Sequence, residues 1–194
     1  MSYASDIIDL RRCRVLSACC GQGTPGPAGP AGPGVSPLYG SFLSITTQPT
    51  VRNTLSPNSV AITYDSSTIG TIGVVGAYPT SQILIPLTGT YKILFSAQCD
   101  CTNGTHYIEI FPVLNNVSVP DSNTRIALTA GVESCLTVEY FLACQANDVL
   151  EFRMTGDSTA NASNARLLFV AAATGTPVAI PAVPSIIVTI MRIE

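Results

Sequence analysis

Residues 90–99 read TYKILFSAQC. In an extended chain successive side chains point to opposite faces, so Tyr91, Ile93, Phe95 and Ala97 share one side. Lys92, Leu94, Ser96 and Gln98 share the other. One side is apolar and the other mostly polar, the pattern of a strand with one face in a core and one facing outward.

The segments on either side have the same character. Short runs rich in Val, Ile, Thr, Tyr and Phe alternate with Gly, Pro, Asn, Asp and Ser turns from Val35 onward. The expected strands are Gly40–Thr46, Ser59–Tyr64, Gln82–Leu87, Thr90–Cys99, His106–Leu114, Thr124–Leu128, Cys135–Cys144, Val149–Met154, Ala165–Ala172 and Ser185–Ile193. No long stretch has a clear helical period. Many short strands with frequent turns imply an all-β sandwich or jelly roll.

The last strand differs from Thr90–Cys99. Ile186, Val188 and Ile190 lie on one side, and Ile187, Met191 and Ile193 on the other. A strand apolar on both sides has no side suited to water, so its outer side is expected to be covered by a neighbouring subunit. These six residues form the candidate trimer-interface strand.

Before the β region, residues 23–34 read GTPGPAGPAGPG. Gly23, Gly26, Gly29 and Gly32 recur every third position, with Pro25, Pro27, Pro30 and Pro33 between them. This is the Gly-X-Y pattern of the collagen triple helix, in which three polyproline-II chains wind together and only Gly fits at the axis. It implies three chains. At about 3 Å per residue the segment spans roughly 35 Å, a neck too short to hold three chains together by itself. The expected organisation is an anchoring arm (residues 1–22), a collagen-like neck (23–34) and a head (35–194) that trimerises. In the arm, Ser5 can cap a short helix with Asp6 and Asp9 early and Arg11, Arg12 and Arg14 later, an order that suits the helix dipole.

Charged residues are only 11% of the chain, against about 25% in ordinary soluble domains. The surface must be covered by neutral polar side chains or by other subunits. Net charge is −3 and the isoelectric point is about 5.0, with no basic face for nucleic acid. Leu167–Met191 carries no charge and is long enough to span a bilayer. Pro177, Pro181, Pro184 and Gly175 argue against a helix there, and two apolar strands joined by a Pro-rich loop is the expected form. Residues 1–20 lack the apolar core of a secretory signal.

The seven cysteines divide into Cys13, Cys19 and Cys20 in the arm and Cys99, Cys101, Cys135 and Cys144 in the head. The arm group, just before a triple helix, are candidate interchain disulfides. Cys135 and Cys144 are expected as small core residues. His106 is the only histidine, and there is no nucleophile elbow, P-loop or dinucleotide fingerprint. No catalytic or metal site and no cofactor is expected. Asn103, Asn116 and Asn161 begin Asn-x-Ser/Thr sequons, read as polar turns.

Three stretches carry a family resemblance. IPLTGTYKILFSA (85–97) is similar to the Pro–Gly–Tyr strand opening of the trimeric jelly-roll heads shared by complement-type and tumour-necrosis-factor-like proteins. YFLACQANDVLEFRM (140–154) resembles their strand–turn–strand, with Asn147-Asp148 where a Gly-Asp is usual. SIIVTIMRIE (185–194) resembles the closing strand. Together with the neck, the chain resembles collagen-like proteins with such a head, among them exosporium glycoproteins and collagen-like virion proteins of large DNA viruses. The resemblance implies a homotrimer.

The expected function is that of a non-enzymatic structural protein, a homotrimeric surface or capsid-associated spike or fibre subunit. Residues 1–20 would anchor it to further copies or to other structural proteins. A virion is the preferred setting and a bacterial endospore surface the alternative. A receptor- or glycan-binding recognition head is the alternative of another class. No membrane span and no nucleic acid is expected.

Overall fold

The computed structural model describes residues 37–50, 59–156, 164–175 and 178–194. The expected arm and neck lie outside the described residues, and with them Cys13, Cys19, Cys20, Gly23, Gly26, Gly29 and Gly32. Pro37–Glu194 forms one compact unit.

The elements are strands. The first six are β1 (Tyr39–Ser44), β2 (Gln48–Pro49), β3 (Val60–Ala61), β4 (Ser66–Gly70), β5 (Gly73–Val74) and β6 (Ile83–Leu84). Two long ones follow, β7 (Gly89–Cys101) and β8 (Thr105–Leu114). The rest are β9 (Val117–Ser118), β10 (Thr124–Thr129), β11 (Ser134–Cys144), β12 (Val149–Gly156), β13 (Ala165–Leu167) and β14 (Ile186–Arg192).

They build two antiparallel sheets. In sheet A the order is β2-β13-β7-β14-β1-β4, with β11 on the other side of β7. In sheet B it is β10-β8-β12-β6-β5, with β3 on β12 and β9 on β8. The chain passes from one sheet to the other at β2–β3, β3–β4, β4–β5, β6–β7, β7–β8, β10–β11, β11–β12 and β12–β13, so long strands adjacent in sequence rarely pair. That interleaving defines a jelly-roll sandwich.

The core lies between the sheets and follows the alternation of β7. Tyr91, Ile93, Phe95 and Ala97 are fully buried. Phe95 of sheet A meets Phe152 of sheet B edge-on at 5.4 Å and stacks on Tyr140 at 6.1 Å. Tyr140 keeps its polar end satisfied by donating to the Ser122 carbonyl at 2.8 Å. Such aromatic pairs add about 0.5–1.5 kcal/mol beyond the area they bury.

Most expected strands are present with shifted ends, but the structure corrects several. Ser59–Tyr64 pairs as a strand only at Val60–Ala61, and Gln82–Leu87 only at Ile83–Leu84. Ala165–Ala172 ends at Leu167, because β14 occupies the remaining length of the same β7 edge. Four strands were not expected: β2, β4, β5 and β9. β4 reads SSTIG, a composition typical of turns, and it forms because it lies along β1 at the sheet edge. Gly70 ends it with φ of 140°, and a Cβ there would collide with the Tyr39 carbonyl.

Candidate functional site

The outer face of sheet A is the candidate site, and strand register builds it row by row. Phe141, Lys92, Met191 and Tyr39 are successive partners across β11, β7, β14 and β1. The next row is Glu139, Leu94, Thr189, Ser41 and Ile69. A third is Thr137, Ser96, Ile187 and Leu43. All have the parity opposite to the buried set, so they share the outer face.

This face is rich in apolar atoms. Ile69 is 64% exposed, Phe141 59% and Met191 46%. Ile187 and Ile193 are exposed as well, and Leu43 and Leu94 are half-buried. One ion pair lies among them, Lys92 Nζ to Glu139 Oε2 at 2.8 Å, with each side chain 39% exposed. At the far end of β7, Arg166 holds Asp100 through two hydrogen bonds of 2.7 and 2.8 Å. Those bonds raise the Arg166 pKa and keep it charged.

The six residues of the candidate interface strand are divided by the fold. Ile186, Val188 and Ile190 are fully buried and point between the sheets. Only Ile187, Met191 and Ile193 are on the outer side. The residues that accompany them, Tyr39, Leu43, Ile69, Leu94 and Phe141, were not singled out from sequence. Strand parity could have found Leu94, but register alone brings the others beside it.

The cysteines also divide. Cys99, Cys135 and Cys144 are free thiols. Cys99 and Cys101 share a face as their spacing requires, and both are buried. Burial pushes the Cys99 thiol up to about 12 and the Cys144 thiol up to about 11. Cys135 corrects the core expectation. It is exposed on the outer face of sheet A, 3.3 Å from the Ser96 hydroxyl. Cys135 and Cys144 are an odd number of residues apart, so one strand cannot bury both. Among the described residues, no group of three or more His, Cys, Asp or Glu gathers as a metal centre. His106 lies 3.0 Å from Asn103 Oδ1 and 3.4 Å from Asn164 Nδ2. No helix among the described residues is long and apolar enough to cross a membrane.

The outer face of sheet B is built differently. Glu109, buried, accepts from Arg125 Nε at 2.6 Å and from Asn123 at 3.2 Å. The same guanidinium lies 4.2 Å over the Tyr107 ring. Glu151, also buried, accepts from Ser81 at 3.0 Å, Gln82 at 3.1 Å and Arg153 at 3.5 Å. Arg153 also donates to the Ser59 hydroxyl and carbonyl, each at 2.8 Å. Beside them is a cleft of about 500 Å³ lined by Phe111, Ser118, Val119, Asp121 and Asn123.

No family model matches the chain, and no curated protein matches it. Among solved structures it is similar to the globular domain of zebrafish complement 1qA, at 11% identity and a TM-score of 0.49. That likeness covers 82% of this chain and 98% of that one. It is also similar to murine APRIL at pH 8.5, with 7% identity, a TM-score of 0.48, and 81% and 100% of the two chains covered. The same protein at pH 5.0 gives 6% identity, a TM-score of 0.47 and the same coverage. The class of this head, an all-β jelly-roll sandwich, is defined by its own strand order.

Proposed function

We propose that this chain is a non-enzymatic structural protein that works as a homotrimer, with the outer face of sheet A as the surface through which the heads associate. The observation that carries this reading is the apolar grid of Tyr39, Leu43, Ile69, Leu94, Phe141, Ile187 and Met191 on that face. These seven apolar side chains are interleaved with Ser41, Ser96, Thr137, Thr189 and the Lys92–Glu139 pair, an apolar-rich and mostly exposed surface of the kind that marks a protein contact. The sequence supplies the number of partners. The triplet repeat at Gly23–Gly32 requires three chains, and β1 of this sheet begins at Tyr39, a few residues after the repeat ends. Residues 1–20 then anchor the trimer to a larger assembly. A virion is the preferred setting and a spore surface the alternative. The low charge of the chain suits a subunit whose surface is taken up by such contacts.

Native mass spectrometry of the whole chain, with and without reductant, tests the trimer. The expected species is a trimer under both conditions, covalent only without reductant if Cys13, Cys19 or Cys20 link chains. A monomer under both conditions sinks the proposal. Loss of incorporation into the particle on deleting residues 1–20 is the expected sign of the anchor.

A further inference from the structure

Between β13 and β14 the chain leaves sheet A and returns. Val170 bridges to Val183 with backbone bonds of 3.1 and 2.8 Å, and Ala173 to Ile180 with bonds of 3.0 and 2.9 Å. The base is tied to the head. Leu168 N donates to the Gln98 carbonyl at 2.8 Å, Phe169 N to Thr47 Oγ1 at 3.1 Å and Ser185 N to the Ser44 carbonyl at 2.9 Å. Above Phe169, the backbone bonds of the described residues stay within the hairpin.

This hairpin is apolar where it meets solvent. Val178 is 75% exposed, Ile180 62%, Val183 40% and Val170 38%, and Ala171, Ala172 and Ala173 are exposed with them. No charged residue occurs between Arg166 and Arg192. Consecutive apolar residues held out in water are a defect in a monomer unless something covers them. The returning limb runs into β14, so the exposed series Val178, Ile180 and Val183 continues into Ile187, Met191 and Ile193. Those last three lie on, or run off the end of, the face assigned above to trimer contact.

We infer that the hairpin is a clasp, packing Val170, Val178, Ile180 and Val183 onto a second copy of this chain within the same trimer. The inference rests on the trimer reading and adds a contact to it. The limb runs straight into β14, with Val183 four residues before Ile187 and of the same parity, and this continuity along the chain sets the clasp beside that interface. Its chemistry fits a protein partner better than a lipid surface. Loops and helices that enter lipid use Trp, Tyr or bulky side chains flanked by Lys or Arg, and Val170–Pro184 has none of Trp, Tyr, Phe, Leu, Lys or Arg. The returning limb also carries Pro181 and Pro184, which have no N–H to offer a foreign strand. The contact is therefore made by side chains, and open-ended strand addition is blocked on that limb.

The test uses the full chain and the triple variant Val178→Ser, Ile180→Ser, Val183→Ser. Trimers grown in light and heavy isotopes are mixed, and subunit exchange is followed by native mass spectrometry. The expected result is a variant that still forms trimers but exchanges subunits at least about tenfold faster, the change coming through the off-rate. Exchange at the wild-type rate overturns the clasp and leaves the trimer standing. A wild-type monomer overturns both. Wild-type trimers that float with phosphatidylcholine/phosphatidylglycerol vesicles, while the variant does not, overturn the clasp in favour of a lipid contact. Should the triple variant fail to fold, Val178→Ser alone carries the same measurement, at the most exposed of these positions.

Discussion

The two outer faces of this sandwich solve the same problem in opposite ways. On sheet B each buried carboxylate has cationic and neutral donors from its own chain, Glu109 from Arg125 and Asn123, Glu151 from Arg153, Ser81 and Gln82. That surface is finished by the subunit alone. Sheet A offers Ile, Leu, Met and Phe interleaved with Ser and Thr, and among the described residues its ion pairs are Lys92–Glu139 and, at the far end of β7, Arg166–Asp100. Among the described residues, Phe141, Ile69 and Met191 of this face stay exposed. A sheet that closes its own polar accounts can face water. One that leaves apolar side chains open suits the trimer contact proposed for it.

A charge placed on each face breaks the comparison most directly. Ile187→Asp puts a carboxylate in the sheet A grid, and burying an unpaired charge there costs on the order of several kcal/mol per buried ion. The expected result by native mass spectrometry is a folded monomer. Ala127→Asp, exposed on the sheet B side, is expected to leave the trimer intact. If both variants stay trimeric, sheet A is not the interface.

Removing a cation from each face gives a smaller effect. Arg153→Ala leaves buried Glu151 without its guanidinium and is expected to cost about 1–3 kcal/mol in denaturant unfolding. Lys92→Ala, measured in the Ile187→Asp monomer, removes a partly exposed pair and is expected to cost less than about 1 kcal/mol. Equal costs would show that the two faces are not differently built.

The smallest expected effect is a change in thiol labelling rate. Cys135 is exposed on sheet A, while burial keeps the Cys99 and Cys144 thiols protonated, at about 12 and about 11. In native buffer near pH 8, Cys135 reacts and those two do not. Its rate in the trimer should fall below its rate in the Ile187→Asp monomer. An unchanged rate would place Cys135 outside the contact.

Much of the fold was legible because a strand writes its burial with period two. The inward set of β7 and the two-sided apolar pattern of β14 are both plain in the sequence. β4 was not, since Ser66–Gly70 carries little β propensity and becomes a strand by pairing with β1. The hairpin was misread as the end of a strand. Val170 and the alanines beyond it look like β13 continuing, but β7 has no free edge left for them. The candidate site was legible only at Ile187, Met191 and Ile193. Phe141, Tyr39 and Ile69 join it through pairings of residues far apart in sequence, which no local pattern records.

The sequence by itself determined the all-β class and the strand alternation, and it carries the Gly-X-Y repeat on which the proposed trimer rests, because each depends on neighbours a few residues away. It also determined that β14 is apolar on both sides. It could not say which side is core. Ile186, Val188 and Ile190 became the interior because sheet B packs against that side, and Ile187, Met191 and Ile193 were left outside. That choice is made by contacts across the sandwich, so only the tertiary structure could decide it.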